Sequence, residues 1–443
     1  MYSISEFESD AHLGNIVDED KFIDYLNSFS GKIIWGAGNL GSAVGKRLID
    51  LGIHIDAYWD AKYKDIGKCN GIDVKQYGFV PEDITEQDNI IIIFCIANVP
   101  VSPKLFQQLK KDGWTKTVSG LAVLEGLICP FSKGEPIDTS VCTRMEICTV
   151  CNCQRLHNIM RNKISVERDV NENELLSFDR IHFIVNNFCN LKCTHCFMYM
   201  NSYPAKRKHN VDINVIQRDI DMIFGAIDSF GVINVFGGEP FLHPELDQIV
   251  NKILEHSESF GSVIVNTNGL AKMSEKQLSA MSDKRIRLAF SNYTQALGEK
   301  EVERFHESVE RAINLGYTVG VQNELPTWNI SSTLGDNHYT EDEMIESKKN
   351  CGVKFLYVFD GKVFPCAFCL SLYDLGIADY ETDYVDIEKC KNTKELRNKI
   401  IKMMEQPYDR SCGHCDRILS TRPIAGEQGF SERYSIPENG KMR

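Results

Sequence analysis

Three cysteines fall within Cys189-Asn190-Leu191-Lys192-Cys193-Thr194-His195-Cys196. Thiolates separated by three and then two residues can wrap one short loop around a 4Fe-4S cube and leave its fourth iron without a protein ligand. An open iron is a site for chemistry. A structural zinc site would need a fourth ligand close by, and His195 lies between two of the cysteines where its reach is awkward. A second spacing runs from Cys351 through nine residues to Gly361 and four more to Cys366, followed at a distance by Cys412-Gly413-His414-Cys415. Four thiolates of this kind suit an iron–sulfur group or a zinc ribbon. Cys369 competes with Cys366 for such a role, and Cys390 has no partner by spacing. Cys129, Cys142, Cys148, Cys151 and Cys153 form a further group, in which only Cys148 and Cys151 have the two-residue gap common in thiolate sites. For the last four, Cys142, Cys148, Cys151 and Cys153, a metal knot and free thiols both remain open.

A different chemistry is suggested near the N-terminus. Gly36, Gly38 and Gly41 fit GxGxxG between an apolar run and a helical pattern, and Asp60 stands 24 residues beyond Gly36. Such a turn can seat phosphates on the free N–H groups of a helix N-terminus, with the acidic residue near a ribose hydroxyl. A strand-turn-helix that needs glycine only for packing is the competing reading.

Composition narrows the partners. The 443 residues carry 49 Lys plus Arg against 62 Asp plus Glu, a formal charge of −13. No segment concentrates enough basic residues to track a phosphate backbone, so nucleic acid is not expected as a partner. The longest apolar stretches, such as Ile90 to Ala97, are strand-length, which argues against a membrane span. Met1 to Asp20 is acidic and lacks a signal-peptide core, so a cytoplasmic location is expected. Sixteen cysteines in a reducing compartment point to metal or cluster ligation instead of disulfides.

The elements that must position these groups fall in an α/β pattern. The first 128 residues read as a Rossmann-like domain: strand 32–35, helix 42–51, strand 54–59, strand 89–97 and helix 103–113. A Cys-containing connector covers 129–175. Residues 176–345 repeat strand then helix, with strands at 182–186, 232–236, 262–266, 286–290 and 318–322 and the clearest helices at 212–230 and 299–315. This predicts a partial (β/α) barrel with chemistry at the C-terminal strand ends. Residues 346–443 are expected to form a small C-terminal Fe-S domain, in which a hairpin turning at Asp360-Gly361 brings Cys351 and Cys366 together.

The cysteine loop at the first barrel strand, followed by Gly237-Gly238-Glu239-Pro240 after the second, resembles the radical S-adenosylmethionine (radical SAM) superfamily. The resemblance implies an open-iron 4Fe-4S cluster on Cys189, Cys193 and Cys196, with S-adenosylmethionine held through Gly237, Gly238 and Glu239. Glu239 and the Gly238 backbone would receive its amino group. Thr267-Asn268-Gly269 ends the third strand as in many members; Ser291 with Asn292 and Gln322 with Asn323 end the next two, and Ser291 and Gln322 are candidate ligand contacts. The cluster would take electrons from a donor such as flavodoxin or ferredoxin and release a 5′-deoxyadenosyl radical that abstracts hydrogen. The C-terminal cysteines resemble the twitch and SPASM extensions, which implies a second, auxiliary 4Fe-4S cluster on Cys351, Cys366, Cys412 and Cys415. The run of seven cysteines of a full SPASM domain is lacking, so the twitch form fits better.

The first 120 residues resemble the nucleotide-sugar-binding domain of bacterial sugar N-acyltransferases. Trp35 to Gly41, Tyr58-Trp59-Asp60, Gly67-Lys68, Asn70-Gly71-Ile72 and Ile93 to Asn98 carry this likeness, although Asn39 and Leu40 stand where that family has a small residue and a histidine. Together the resemblances imply an oxidoreductase acting on a small activated substrate such as a nucleotide-linked sugar. Dehydrogenation would pass an electron to the auxiliary cluster, while epimerisation would need a hydrogen-donating thiol, for which Cys369 and Cys390 are the candidates. Peptide maturation and a non-catalytic nucleotide-sensing Fe-S protein are the alternatives.

Overall fold

The computed structural model describes residues 3–13, 17–84, 86–96, 102–128, 154–283, 285–321, 328, 332–351, 353, 355–416 and 424–429. It divides into two compact units, Met1–Cys151 and Asn152–Arg443. Among the described residues no helix is long and apolar enough to cross a membrane.

The first unit is built on a six-stranded sheet of β1 (Gly31–Trp35), β2 (Ala57–Trp59), β3 (Lys68–Cys69), β4 (Ile72–Lys75), β5 (Ile90–Phe94) and β6 (Thr117–Ser119), in the order β3-β4-β2-β1-β5-β6. All pairings are parallel except the β3-β4 hairpin, which turns at Asn70-Gly71 with both residues at positive φ. β5 reads Ile-Ile-Ile-Ile-Phe and is buried along its length, as a strand covered on both faces must be. The strands after the glycine turn are shorter than the sequence pattern suggests. The helix, Asn39–Asp50, begins three residues earlier than expected, because Gly38 already serves as its N-cap.

The second unit holds an eight-stranded sheet. Its strands are β7 (Ser177–Ile184), β8 (Ser229–Phe236), β9 (Phe260–Thr267), β10 (Ile286–Phe290), β11 (Val319–Val321), β12 (Leu356–Phe359), β13 (Lys362–Phe364) and β14 (Val385–Asp386). The order is β11-β10-β9-β8-β7-β12-β13-β14. The strands from β11 to β12 pair in parallel, and β12, β13 and β14 pair antiparallel. Phe183, Val235, Val265 and Phe290 face the apolar stripes of helices Ile213–Ala226, Leu246–Leu254 and Glu299–Asn314 in one core. Strand alternation sends their neighbours His182, Asn234, Asn266 and Ala289 to the other face.

Two boundaries differ from the sequence reading. The connector does not end at residue 175 as a separate piece: helix Gln154–Arg168 packs against β8 and β9 and belongs to the second unit. The C-terminal region is no separate sheet either, since β12 pairs with β7 from Leu356↔Ile181 to Val358↔Phe183. The expected hairpin is present, with Asp360 and Gly361 both at positive φ. Its turn is anchored to helix Ile213–Ala226 by Gly361 N–H, which donates to the buried Asp219 carboxylate at 2.8 Å.

Candidate active site

The C-terminal ends of the parallel strands converge on one pocket. The loop after β7 contributes Cys189, Leu191, Cys193, Cys196, Phe197, Met198 and Met200; the turn after β8 contributes Gly237, Gly238, Glu239 and Pro240. Asn266, Thr267 and Asn268 come from β9, Ser291 and Tyr293 from the end of β10, and Trp328 from beyond β11. The glycine turn is crowded against the cysteine loop: a Cβ on Gly238 would overlap the Phe188 carbonyl, so only glycine lets the two backbones meet. Gly238 N–H donates to Asn186 Oδ1 at 3.0 Å, and Asn186 Nδ2 donates to the Glu239 carbonyl at 2.9 Å. The fully buried Asn186 therefore clamps the two loops together.

Glu239 is buried and ties β8 to β9. Its carboxylate accepts from Thr267 Oγ1 at 2.8 Å, Asn268 N–H at 2.7 Å and Phe241 N–H at 3.2 Å. Burial outweighs these bonds and pushes its pKa up to about 7. The thiols also receive donors. Asn268 Nδ2 approaches Cys189 Sγ at 3.4 Å, as does Leu191 N–H, and Gln428 Nε2 approaches Cys193 Sγ at 3.3 Å. Burial raises all three thiol pKa values, that of Cys193 to about 12, and each also feels a neighbouring cysteine or the backbone N–H groups of its loop.

Gln428 sits in a segment that straps the cysteine loop. Thr194 N–H donates to the Glu427 carbonyl at 2.7 Å, Gly429 N–H to the Lys192 carbonyl at 2.8 Å, and Lys192 N–H to Gln428 Oε1 at 2.8 Å. Asn201 Nδ2 reaches both the Cys193 and the Gly429 carbonyls. These partners are more than 220 residues away in sequence, so no spacing rule could find them.

The second thiol group is assembled from three segments. Cys351 follows helix Glu341–Lys349, Cys366 caps helix Ala367–Asp374, and Cys412 and Cys415 lie on and beside the short helix Arg410–His414. Cys366 feels Cys412 and Cys415 electrostatically, and Cys415 feels Cys351. Asp383 holds the last segment, accepting from Arg410 N–H at 2.9 Å and Ser411 N–H at 2.7 Å. A run of contacts also links the two thiol groups. Tyr199 N–H donates to the Cys196 carbonyl, Tyr199 OH to the Ser332 carbonyl at 2.7 Å, and Ser332 Oγ lies 3.6 Å from Cys415 Sγ. Among the described residues no three Cys, His, Asp or Glu side chains converge on a single metal ion.

Residues 183–349 match the family model described as the radical SAM superfamily. That stretch is a radical SAM domain. The chain is 24% identical over 258 residues to GTP 3′,8-cyclase of Helicobacter pylori (strain HPAG1), covering 54% of this chain and 76% of that protein. Over 89 residues it is 35% identical to the antilisterial bacteriocin subtilosin biosynthesis protein AlbA of Bacillus subtilis (strain 168), covering 20% of this chain and 18% of that one. Among solved structures, BtrN in complex with AdoMet and 2-DOIA aligns over 54% of this chain and 93% of its own at 18% identity, with a TM-score of 0.30.

The radical SAM domain thus carries the predicted cysteines, glycines, Glu239 and Ser291 around one pocket, while Gln322 and Asn323 lie outside the described residues, as do Cys129, Cys142, Cys148, Cys151 and Cys153. Two candidates are placed elsewhere. The Cys369 thiol is buried and donates to the Asp383 carbonyl at 3.4 Å, and the Cys390 thiol to the Asp386 carbonyl at 3.3 Å. Neither is among the residues lining the pocket. Asn292 caps its own turn, accepting from Thr294 N–H.

In the first unit, Gly36 adopts φ +111° and donates to the Trp59 carbonyl, and a Cβ on Gly41 would overlap the Gly36 carbonyl. Gly38 meets nothing within 4 Å and leaves the helix N-terminus open. The Asp60 carboxylate accepts from Ala37 N–H at 2.9 Å and Lys62 N–H at 2.8 Å, pinning the glycine turn to the end of β2.

Proposed function

We propose that the chain is a radical SAM oxidoreductase that abstracts hydrogen from a small activated substrate. The observation that carries this reading is the gathering of Cys189, Cys193, Cys196, the Gly237-Gly238-Glu239 turn and Ser291 around one pocket. A 4Fe-4S cluster with bound S-adenosylmethionine would supply reductive sulfonium cleavage and a hydrogen-abstracting radical. The chain's part is to hold and shield. Asn268 and Gln428 offer N–H groups to the thiolates, Gly238 allows close approach of a ligand, and Phe236, Phe197, Tyr293 and Trp328 make apolar walls that keep water from a reactive intermediate. Glu239, with three acceptor contacts already filled, offers its remaining lone-pair positions to an amino group.

Cys351, Cys366, Cys412 and Cys415 are assigned to an auxiliary 4Fe-4S cluster. Cys366 is preferred to Cys369 because the Cys369 thiol is committed to Asp383. Dehydrogenation is preferred to epimerisation because, among the described residues, the pocket lining holds no thiol beyond the three assigned to the cluster. The parallel order of the first sheet and the open Gly38 favour a Rossmann-like module for a nucleotide-linked sugar. A peptide substrate is the second reading, favoured by the local match to a bacteriocin biosynthesis protein.

The test is anaerobic reconstitution followed by measurement of 5′-deoxyadenosine with dithionite or reduced flavodoxin; no product at all would remove the enzyme reading. For the substrate class, Gly38→Phe is the probe, since a Cβ on Gly38 meets no described atom within 4 Å. Turnover of a nucleotide sugar should be lost while uncoupled S-adenosylmethionine cleavage remains; unchanged turnover would reduce this turn to a scaffold.

A further inference from the structure

The strand registers align Tyr357, His182, Asn234, Ile264 and Arg287 in one row across β12, β7, β8, β9 and β10. Two residues further along, Phe236 and Asn266 line the pocket. Residues i and i+2 share a face of a sheet, so this row is the next layer beneath the pocket floor. On β10 the same face carries Arg287, then Ala289, then the pocket residue Ser291 beyond the strand end. Only a methyl group stands between them.

This row carries donors that no described residue fills. Arg287 is 5% exposed and His182 8% exposed. Among the described residues, Arg287 Nε and Nη1 and His182 Nε2 have no hydrogen-bond partner, and no carboxylate pairs with Arg287. The tautomer of His182 follows from its neighbours. Asn266 Nδ2 donates to Asn234 Oδ1 at 3.4 Å, which turns Asn234 Nδ2 toward His182 Nδ1 at 3.3 Å as a donor. Burial keeps the ring neutral, so its one proton is on Nε2. The ring is fixed by stacking on Tyr357, with centroids 4.4 Å apart and planes within 4°. A guanidinium cannot shed its proton, and a buried charge without a counter-charge is strongly unfavourable.

We propose that Arg287, with His182 in the same row as a second donor, forms a binding site for an oxyanion of the substrate, a carboxylate or a phosphate, in the layer beneath the pocket floor. The proposal deepens the radical SAM reading and rests on it for the identity of the pocket. It assigns the substrate a negative group held below the carbon that faces Ser291.

The experiment titrates inorganic phosphate and, separately, succinate into the reconstituted full-length protein, followed by calorimetry and thermal shift. Wild type is expected to bind one of the two, phosphate indicating a phosphorylated substrate and succinate a carboxylated one. Arg287→Met should weaken that binding by about tenfold or more, and His182→Phe, which keeps the stack on Tyr357, by about threefold. The difference between wild type and variants reads this site alone, whatever phosphate the N-terminal unit takes. If neither probe binds, or if both variants bind as wild type does, the site is overturned. An Arg287→Met protein with a raised Tm and undiminished binding overturns it as well. S-adenosylmethionine cleavage is measured in the same samples. Its absence from wild type, alongside binding that still depends on Arg287, would sink the radical SAM reading and leave the oxyanion site standing.

Discussion

Cys189, Cys193 and Cys196 lie on a single loop between β7 and helix Ile213–Ala226, whereas Cys351, Cys366, Cys412 and Cys415 arrive from three segments joined through the β12-β13-β14 meander. The first group has its relative geometry written into consecutive residues. The second depends on long-range bonds such as Asp383 to Ser411 N–H and Gly361 N–H to Asp219. A locally encoded site should therefore tolerate damage elsewhere in the fold, while the assembled one should fail when any of its anchors fails.

The largest expected effect tests that contrast directly. Replacing Cys189, Cys193 and Cys196 together with Ala should remove half of about eight irons and abolish 5′-deoxyadenosine formation. Replacing Cys412 and Cys415 should remove the other half and leave uncoupled cleavage in place. Iron counting with EPR checks both, and stoichiometric zinc beside about four irons would overturn the auxiliary assignment.

Asp383→Asn comes next. It places an NH2 group against a backbone N–H in a site that is 1% exposed, at a cost of about 1–3 kcal/mol. We expect selective loss of auxiliary iron, seen as a faster chelator-dependent bleaching phase, with the radical cluster retained. Equal loss from both clusters would mean that the two sites fold as one unit.

Gln428→Leu should do less. Removing an N–H donor from the Cys193 sulfur disfavours the more negative reduced cluster, so the reduction potential of the radical cluster should fall while that of the auxiliary cluster stays put. An EPR-monitored redox titration reads this, and an unchanged potential would leave the strap a purely structural element.

The smallest effect concerns the ion pair that joins the cysteine-loop region to the hairpin turn. Its hydrogen bond to Asp360 is the main reason the His209 pKa is raised to about 9, and His209 Nε2 lies 3.5 Å from Asp360 Oδ2. Its stabilisation is complete below the unfolded histidine pKa of about 6.5 and is lost as pH rises through about 9. Both side chains are more than a third exposed, so solvent screening holds the effect below about 1 kcal/mol. Urea midpoints at pH 6.5 and pH 9.5 should differ in wild type and draw together in His209→Gln.

The sequence by itself determined what short-range spacing can carry. The cysteine loop, the Gly237-Gly238-Glu239 turn, the Asp360-Gly361 hairpin and most strand positions were legible because each depends on neighbours a few residues apart, through periodicity, turn chemistry or chelate reach. Helix Ile213–Ala226 was read too long, since Ile227 ends it in an extended conformation and Ser229 and Phe230 open β8 in pairing with Ser177 and Phe178.

Tertiary structure decided the rest. Cys369 and Cys390 had the right chemistry for hydrogen donation, but chain direction after β13 turns both thiols onto backbone carbonyls outside the pocket. The contact of Asp60 with Ala37 N–H exists only because β2 returns beside β1. Gln428 gave no local signal at all, because its partner is a sulfur brought near only when the chain has closed over the loop. Arg287 reads as an ordinary polar residue in a strand; only the register of β10 against β9 puts it in line with Asn234 and His182 and leaves its charge buried. Burial and pairing across strands are properties of the whole sheet, and residue spacing does not encode them.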